Sequence, residues 1–272
     1  MYDKVQSIKG FIEGKISTKP QTAIILGSGL DAFAQLLENK ISIKYEDIPH
    51  FPRSLSAVKG HAGELVFGSL KGKELMLMCG RFHLYEGFST QEVARPIYAM
   101  KALGIKQLFI TNACGGINTN YSPGSLVLLK DFINLMGQNP LTGPNDERFG
   151  PRFPDMSEPF SLRLIALAQK VAKSLDIHCE EGVYAGFPGP YFESAAEIRA
   201  MSILGADVVG MSTVPECIAA NYLGLEVLGI SCVTNMATGI QACKHSHEAV
   251  LEVAKLSSDR LCSLLKGIIE AL

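Results

Sequence analysis

The stretch Gly80-Arg81-Phe82-His83-Leu84-Tyr85-Glu86-Gly87 follows an apolar run and gathers a guanidinium, an imidazole, a phenol and a carboxylate. An arginine fork matches the oxygens of a phosphate, and a histidine can donate to an anion or move a proton near neutral pH. The plain alternative is a solvated turn with its aromatics packed on the core; four converging polar types weigh against it. Gly189-Pro190-Tyr191-Phe192-Glu193-Ser194 sets an aromatic ring beside a carboxylate. A ring face stacks on a planar base, while the carboxylate accepts from ring N–H groups. Gly210-Met211-Ser212-Thr213-Val214-Pro215-Glu216 brings hydroxyls to a helix start, where they either cap the helix or help to hold an anion. Thr234-Asn235 closes a nearly continuous apolar strand with an amide that both donates and accepts, suited to the Hoogsteen edge of a purine.

Other motifs read two ways. Gly27-Ser28-Gly29-Leu30-Asp31-Ala32 fits a dinucleotide fingerprint, with Asp47 near the expected acidic position. Yet Ile41–Tyr45 runs into Ile48-Pro49-His50-Phe51-Pro52, where a second crossover helix would have to begin. A glycine-rich turn still offers backbone N–H groups to an anion, or is simply a tight turn. His61, within Lys59-Gly60-His61-Ala62-Gly63, is a ligand candidate or an ordinary loop histidine. In Asn112-Ala113-Cys114-Gly115-Gly116 the thiol is a conceivable nucleophile, but no local acid or base accompanies it. It reads better as a small buried hydrophobe, with glycines that let backbone approach a ligand.

The elements that must position these residues follow from periodicity. Residues 2–16, 91–103, 160–175, 195–204, 215–223 and 246–270 read as helices. Strands are expected at 22–26, 107–111, 126–129, 182–186, 207–211 and 226–233, and a hairpin at 65–70 and 74–79. Gly137–Pro159 has no periodicity, and a structureless stretch of that length is usually functional. The alternation predicts a single α/β domain over residues 1–272, a mixed central sheet flanked by helices, with ligands at the strand ends.

The 272 residues are 47% hydrophobic with mean hydropathy +0.18, which excludes a disordered chain. No apolar run approaches a membrane span, and the N-terminus lacks a signal-peptide core. With 25 Lys and Arg against 27 Asp and Glu and no basic run, nothing neutralises a phosphate ladder, so nucleic acid is not the expected partner. Seven scattered cysteines without Cys-x-x-Cys predict a reducing compartment, hence a cytoplasmic protein, and no structural zinc.

Taken in order, the motifs resemble the trimeric purine nucleoside phosphorylases from Ile24 to Val250. The match includes Leu26-Gly27-Ser28-Gly29-Leu30, Gly60-His61-Ala62-Gly63, the segment 80–87 and Thr111-Asn112-Ala113. It continues through Gly143-Pro144-Asn145-Asp146-Glu147-Arg148-Phe149-Gly150 and the segment 210–216. The resemblance implies phosphorolysis of a 6-oxopurine nucleoside, with inorganic phosphate as co-substrate and no metal or organic cofactor. It implies that Ser28, His61, Arg81, His83, Ala113 and Ser212 hold phosphate. Tyr85, Met211 and His247 would line the ribose, and Phe192, Glu193 and Asn235 the base. His83, Glu193 and Asn235 would carry the catalysis. Phe153 matches the position that covers the ribose of an adjacent site in a homotrimer. Asp31 and Cys114 depart from the common pattern, and residues 237–246 match least, so His245 competes with His247 for the ribose by spacing; Tyr191 beside the base site bears on which purines fit. A methylthioadenosine phosphorylase on the same fold, a nucleotide-cofactor oxidoreductase and a non-catalytic nucleoside-binding protein are the rival readings. Asn235 and His247 speak against the first.

Overall fold

The computed structural model describes residues 1–27, 29–53, 63–240 and 246–272. Its centre is β1 (Thr22–Leu26), five residues buried on both faces, paired in parallel with β4 (Lys73–Cys79) and β5 (Gln107–Gly116). Apolar residues on both faces suit a strand covered from both sides. β3 (Glu64–Leu70) and β4 form the expected hairpin, turning through Lys71 and Gly72, both at positive φ. Such a two-residue turn matches the twist of its strands. β2 (Glu38–Lys44) pairs antiparallel with β3 at the edge. Among the described residues no α-helix joins β1 to β2; a 3-10 segment, Asp31–Leu36, lies between them. The βαβ unit that a dinucleotide fingerprint needs is therefore absent at Gly27, because β2 turns back along the hairpin.

Beyond β5 the sheet continues through β8 (Val208–Gly210), β7 (Cys179–Gly186), β6 (Leu126–Asn134) and β9 (Glu226–Met236). β9 pairs with both β6 and β5, so these five strands close on themselves. The sheet is mixed, as expected. The strand expected at 107–111 runs on, and Asn112–Gly116 is the continuation of β5. It pairs with Ser231–Met236 of β9 across a register shift at Cys114/Gly115, and its last two residues also pair with β8. Pairing on both edges satisfies a backbone whose glycines alone would suggest a turn.

Two helix groups pack against this sheet: α1 (Tyr2–Glu13), α2 (Thr90–Ala102) and α5 (Val214–Tyr222); and α3 (Leu162–Ser174) with α6 (His247–Ala271). The sixth helix, α4 (Ala195–Ile203), covers a smaller cluster around Ala185, Phe187 and Met201. α3 starts two residues later than its apolar pattern because Ser161 is its N-cap, accepting from the Leu164 N–H, while Phe160 is buried ahead of it.

Candidate active site

Four strand ends and one connection meet at a cavity of about 360 Å3. Arg81, His83 and Tyr85 come from the segment after β4, and Ala113 and Cys114 from β5. Met211 and Ser212 follow β8, Asn235 sits near the end of β9, and Phe192 and Glu193 follow β7. Ten residues singled out from the sequence thus line one space. Ser28, His61 and His245 lie outside the described residues, and of His247 only the backbone, opening α6, belongs to them. Phe153 is not part of this wall; it is 87% exposed on the 137–159 segment.

Arg81 is buried. One guanidinium nitrogen donates to the carbonyl of Thr111 on β5, and Nη1 lies 3.7 Å from Glu216 Oε1 on α5. Thr111 also ties the turn after β1 in place, its hydroxyl accepting from the Gly27 N–H and donating to the Ile25 carbonyl, both at 2.9 Å. His83 shares its Nδ1 with Glu86 Oε1 at 2.8 Å and stacks on Tyr85 with ring centroids 4.5 Å apart. Burial, its largest influence, holds the His83 pKa below the usual value against the opposing pull of Glu86. The imidazole is then neutral at pH 7. Because a carboxylate only accepts, the ring proton belongs on Nδ1, and Nε2 is left as an acceptor. Burial likewise pushes the Tyr85 phenol up to about 12, so it stays protonated.

The segment leading into α5 is strained. Thr213 holds φ +71 and ψ −49, and the Val214 N–H closes a three-residue turn on the Ser212 carbonyl at 2.7 Å. Such a γ-turn is rare, and strain of this kind clusters at functional sites. It is held by Asn112, whose Nδ2 donates to Thr213 Oγ1 at 3.0 Å, and by the buried Tyr184 hydroxyl, which accepts from the Ser212 N–H. Ser212 Oγ is 3.2 Å from Thr213 Oγ1. Of the two readings open for these hydroxyls, capping is not met at Thr213, the N-cap residue, whose side chain makes no capping bond.

Asn235 lies beside Thr234, whose hydroxyl donates to Asn235 Oδ1 at 3.0 Å, while Nδ2 donates to the Met236 carbonyl at 3.3 Å. Glu193 is buried, and burial raises its carboxyl above the ordinary carboxylate range, with Glu197 adding to the effect. The Cys114 thiol is buried, donates to the Cys232 carbonyl at 3.4 Å and is held well above its usual pKa by desolvation. It is an inert packing group, as its neighbours in sequence predict.

Thr111, Tyr184 and Glu216 organise this site without having been assigned any such part from the sequence. Their signal is tertiary: each acts through a contact to an element distant in the chain. Chemically, a guanidinium, a neutral imidazole and a hydroxyl converge where an oxyanion can sit. A carboxylate, an amide and a ring face suit a flat heterocycle with N–H and carbonyl edges. Among the described residues no three His, Cys, Asp or Glu side chains cluster as a metal site, and no helix is long and apolar enough to cross a membrane.

The comparisons with known proteins agree with this arrangement. The family model described as the phosphorylase superfamily matches residues 21–270. The purine nucleoside phosphorylase 1 of Bacillus subtilis (strain 168) is 47% identical over 269 residues, covering 99% of this chain and 98% of its own. A solved Schistosoma purine nucleoside phosphorylase in complex with hypoxanthine superposes with TM-score 0.94 at 39% identity, covering 99% of this chain and 97% of that one. Isoform 2 of the Schistosoma mansoni enzyme, in complex with cytosine and ribose-1-phosphate, gives TM-score 0.94 at 42% identity, covering 100% and 97%. With its fold, its strand-end cavity and these relatives in agreement, the chain belongs to the purine nucleoside phosphorylases of the phosphorylase superfamily.

Proposed function

We propose that the protein cleaves 6-oxopurine ribonucleosides and deoxyribonucleosides with inorganic phosphate, yielding free base and (deoxy)ribose 1-phosphate, as a step of purine salvage. The observation that carries this reading is the convergence in one cavity of Arg81, His83 and Ser212 with Phe192, Glu193 and Asn235. Arg81, Ser212 and the Ala113 backbone amide bind phosphate together with Ser28 and His61, and neutral His83 accepts a hydrogen bond donated by a phosphate hydroxyl. Tyr85, Met211 and His247 line the ribose. Phe192 stacks on the base, Glu193 accepts from N1–H, and the Asn235 amide donates at N7 while tolerating a 6-carbonyl.

In the reaction the C1′–N9 bond breaks and a C1′–O bond to phosphate forms. Cleavage builds oxocarbenium character on the sugar, which a fixed phosphate stabilises and then captures. Negative charge gathered by the leaving purine is met by the Asn235 donor at N7, a contact that strengthens in the transition state, while Glu193 holds N1–H. Holding both reactants in line removes part of the entropic barrier. No metal or organic cofactor enters this scheme.

The working form is a cytoplasmic homotrimer, the whole chain being one nucleoside phosphorylase domain. Supporting this are the exposed Phe153 and the trimeric family that the motifs resemble. The test is a panel of inosine, guanosine, xanthosine and adenosine incubated with and without phosphate, with free base as the readout. Base release from the 6-oxopurines that requires phosphate is expected. Equal release without phosphate would identify a hydrolase and overturn the proposal.

A further inference from the structure

Among the described residues three α-helices carry glutamate as their third residue, where the side chain commonly folds back to the N-cap backbone. Glu92 of α2 and Glu197 of α4 do so, each accepting from the N–H of the serine that caps its helix. Glu216 of α5 does not. The γ-turn at Thr213 removes the capping geometry, and the Glu216 side chain, 3% exposed, turns inward to Arg81. Among the described residues neither of its carboxylate oxygens meets a hydrogen-bond donor, and Arg81 Nη1 at 3.7 Å is its ion-pair partner. A buried carboxylate left without hydrogen bonds is costly, and an apolar residue of similar size would relieve that cost. Its presence here calls for a purpose other than stability.

We propose that Glu216 is a positioning residue for phosphate, acting through Arg81. The inference rests on the phosphorylase reading above. Among the described residues the guanidinium is held by the Thr111 carbonyl on β5 and by the Glu216 carboxylate on α5, contacts on different elements. Anchors on separate elements help to set the plane of the arginine fork, and the plane decides which N–H groups face an oxyanion in the cavity. The same first turn of α5 is joined to Ser212 through Thr213 and to β5 through Asn112. Glu216 thereby couples the arginine to the serine across the cavity wall. It also adds negative charge near an anion subsite, and simple Coulomb repulsion would make it an obstacle to phosphate. The two effects have opposite signs, so an uncharged isostere separates them.

The experiment is steady-state kinetics of Glu216→Gln with phosphate and inosine varied in turn. Positioning predicts that KM for phosphate rises about fivefold, within the range expected for residues coupled in one ion pair, while KM for inosine stays within about twofold. A phosphate KM that is unchanged or falls overturns the proposal, the latter marking Glu216 as a repelling charge only. General damage to the fold would move both constants together and also overturns it. In an Arg81→Gln background the Glu216→Gln change is expected to have no further effect on kcat/KM for phosphate; an undiminished effect would show that it does not act through Arg81. Where Glu216→Gln fails to fold, Glu216→Asp carries the test, since it keeps the charge but sets it one methylene back. A raised phosphate KM at unchanged inosine KM supports the proposal, and wild-type constants overturn it. Wild-type base release that does not depend on phosphate would remove the phosphorylase reading and this inference together, and would be seen before any variant is made.

Discussion

Among the described residues, both chain neighbours of Asn235 orient its amide. The Thr234 hydroxyl selects which atom of the amide is the acceptor, and the Met236 carbonyl holds the donor. An aspartate in that place keeps the first contact and turns the second into a meeting of two oxygens. On the function proposed above, it would also lose the donor to purine N7 and repel a 6-carbonyl, while accepting from a 6-amino group. Leaving one buried polar contact unmatched costs about 1–3 kcal/mol. Asn235→Asp is therefore expected to lower kcat/KM for inosine about tenfold or more and to shift the inosine-to-adenosine ratio toward adenosine. A competition assay with both nucleosides checks this, and an unchanged ratio would contradict the part assigned to Asn235. Arg81, His83, Glu193 and Asn235 were all legible as candidates, because their residue types are unusual at the ends of apolar strands. What no single residue discloses is its protonation. Burial is what keeps His83 neutral and raises the Glu193 carboxyl.

At the scale of elements, the site depends on how closely strands approach at their ends. A Cβ on Gly27 would stand 2.9 Å from the Asn112 Cα and 3.0 Å from the Thr111 carbonyl oxygen, both backbone atoms of β5. Backbone cannot rotate away as a side chain can, so Gly27→Ala has to push the end of β1 off β5. An expected loss of about 1–3 kcal/mol, the usual cost of overpacking, would appear as a lower urea midpoint at unchanged slope. A wild-type midpoint would mean that the contact is not tight. This glycine belonged to a motif that pattern matching assigns to dinucleotide binding. Its tertiary reason is different: it lets β1 and β5 meet, with Thr111 receiving its N–H. The extension of β5 to Gly116 was likewise hidden, since the glycines of Asn112–Gly116 imitate a turn while pairing with β8 and β9 holds them extended.

For the molecule as a whole, the segment from Gly137 to Pro159 contains neither helix nor strand, as its composition predicts. Part of it is anchored within the chain. Phe149 packs against Tyr98 and Tyr2 at ring-centroid distances of 4.9 and 5.8 Å, and Asn145 accepts from the Tyr222 hydroxyl at 2.8 Å. Phe149 is thus covered by its own subunit, whereas Phe153, four residues on, is left 87% exposed. An apolar ring held out beyond an anchored segment fits a partner subunit, and in a head-to-tail ring each subunit gives one such residue and receives one. Covering the ribose of the next site would exclude water from the oxocarbenium-like state. Phe153→Ala and Asn235→Ala are each expected to be poor enzymes. After mild dissociation and remixing, sites that pair an intact Asn235 with an intact Phe153 from a neighbour should lift activity above the mean of the two parents. Mixed oligomers without recovered activity would show that Phe153 does not act across subunits.

Local interactions and hydrophobic periodicity are written directly in the chain, and they determined the α/β alternation, the β3–β4 hairpin, the unstructured 137–159 segment and most of the polar residues of the cavity. These features depend on residues close in sequence, or on burial patterns that repeat at a helix or strand period. The closing of β5, β8, β7, β6 and β9 on one another depends on pairings between distant segments, for which a sequence carries no local signal. The same holds for the inward turn of Glu216. By its position in α5 it is indistinguishable from Glu92 and Glu197, which cap their helices. Only the strained turn at Thr213 and an arginine arriving from β4 decide that it faces the cavity wall instead.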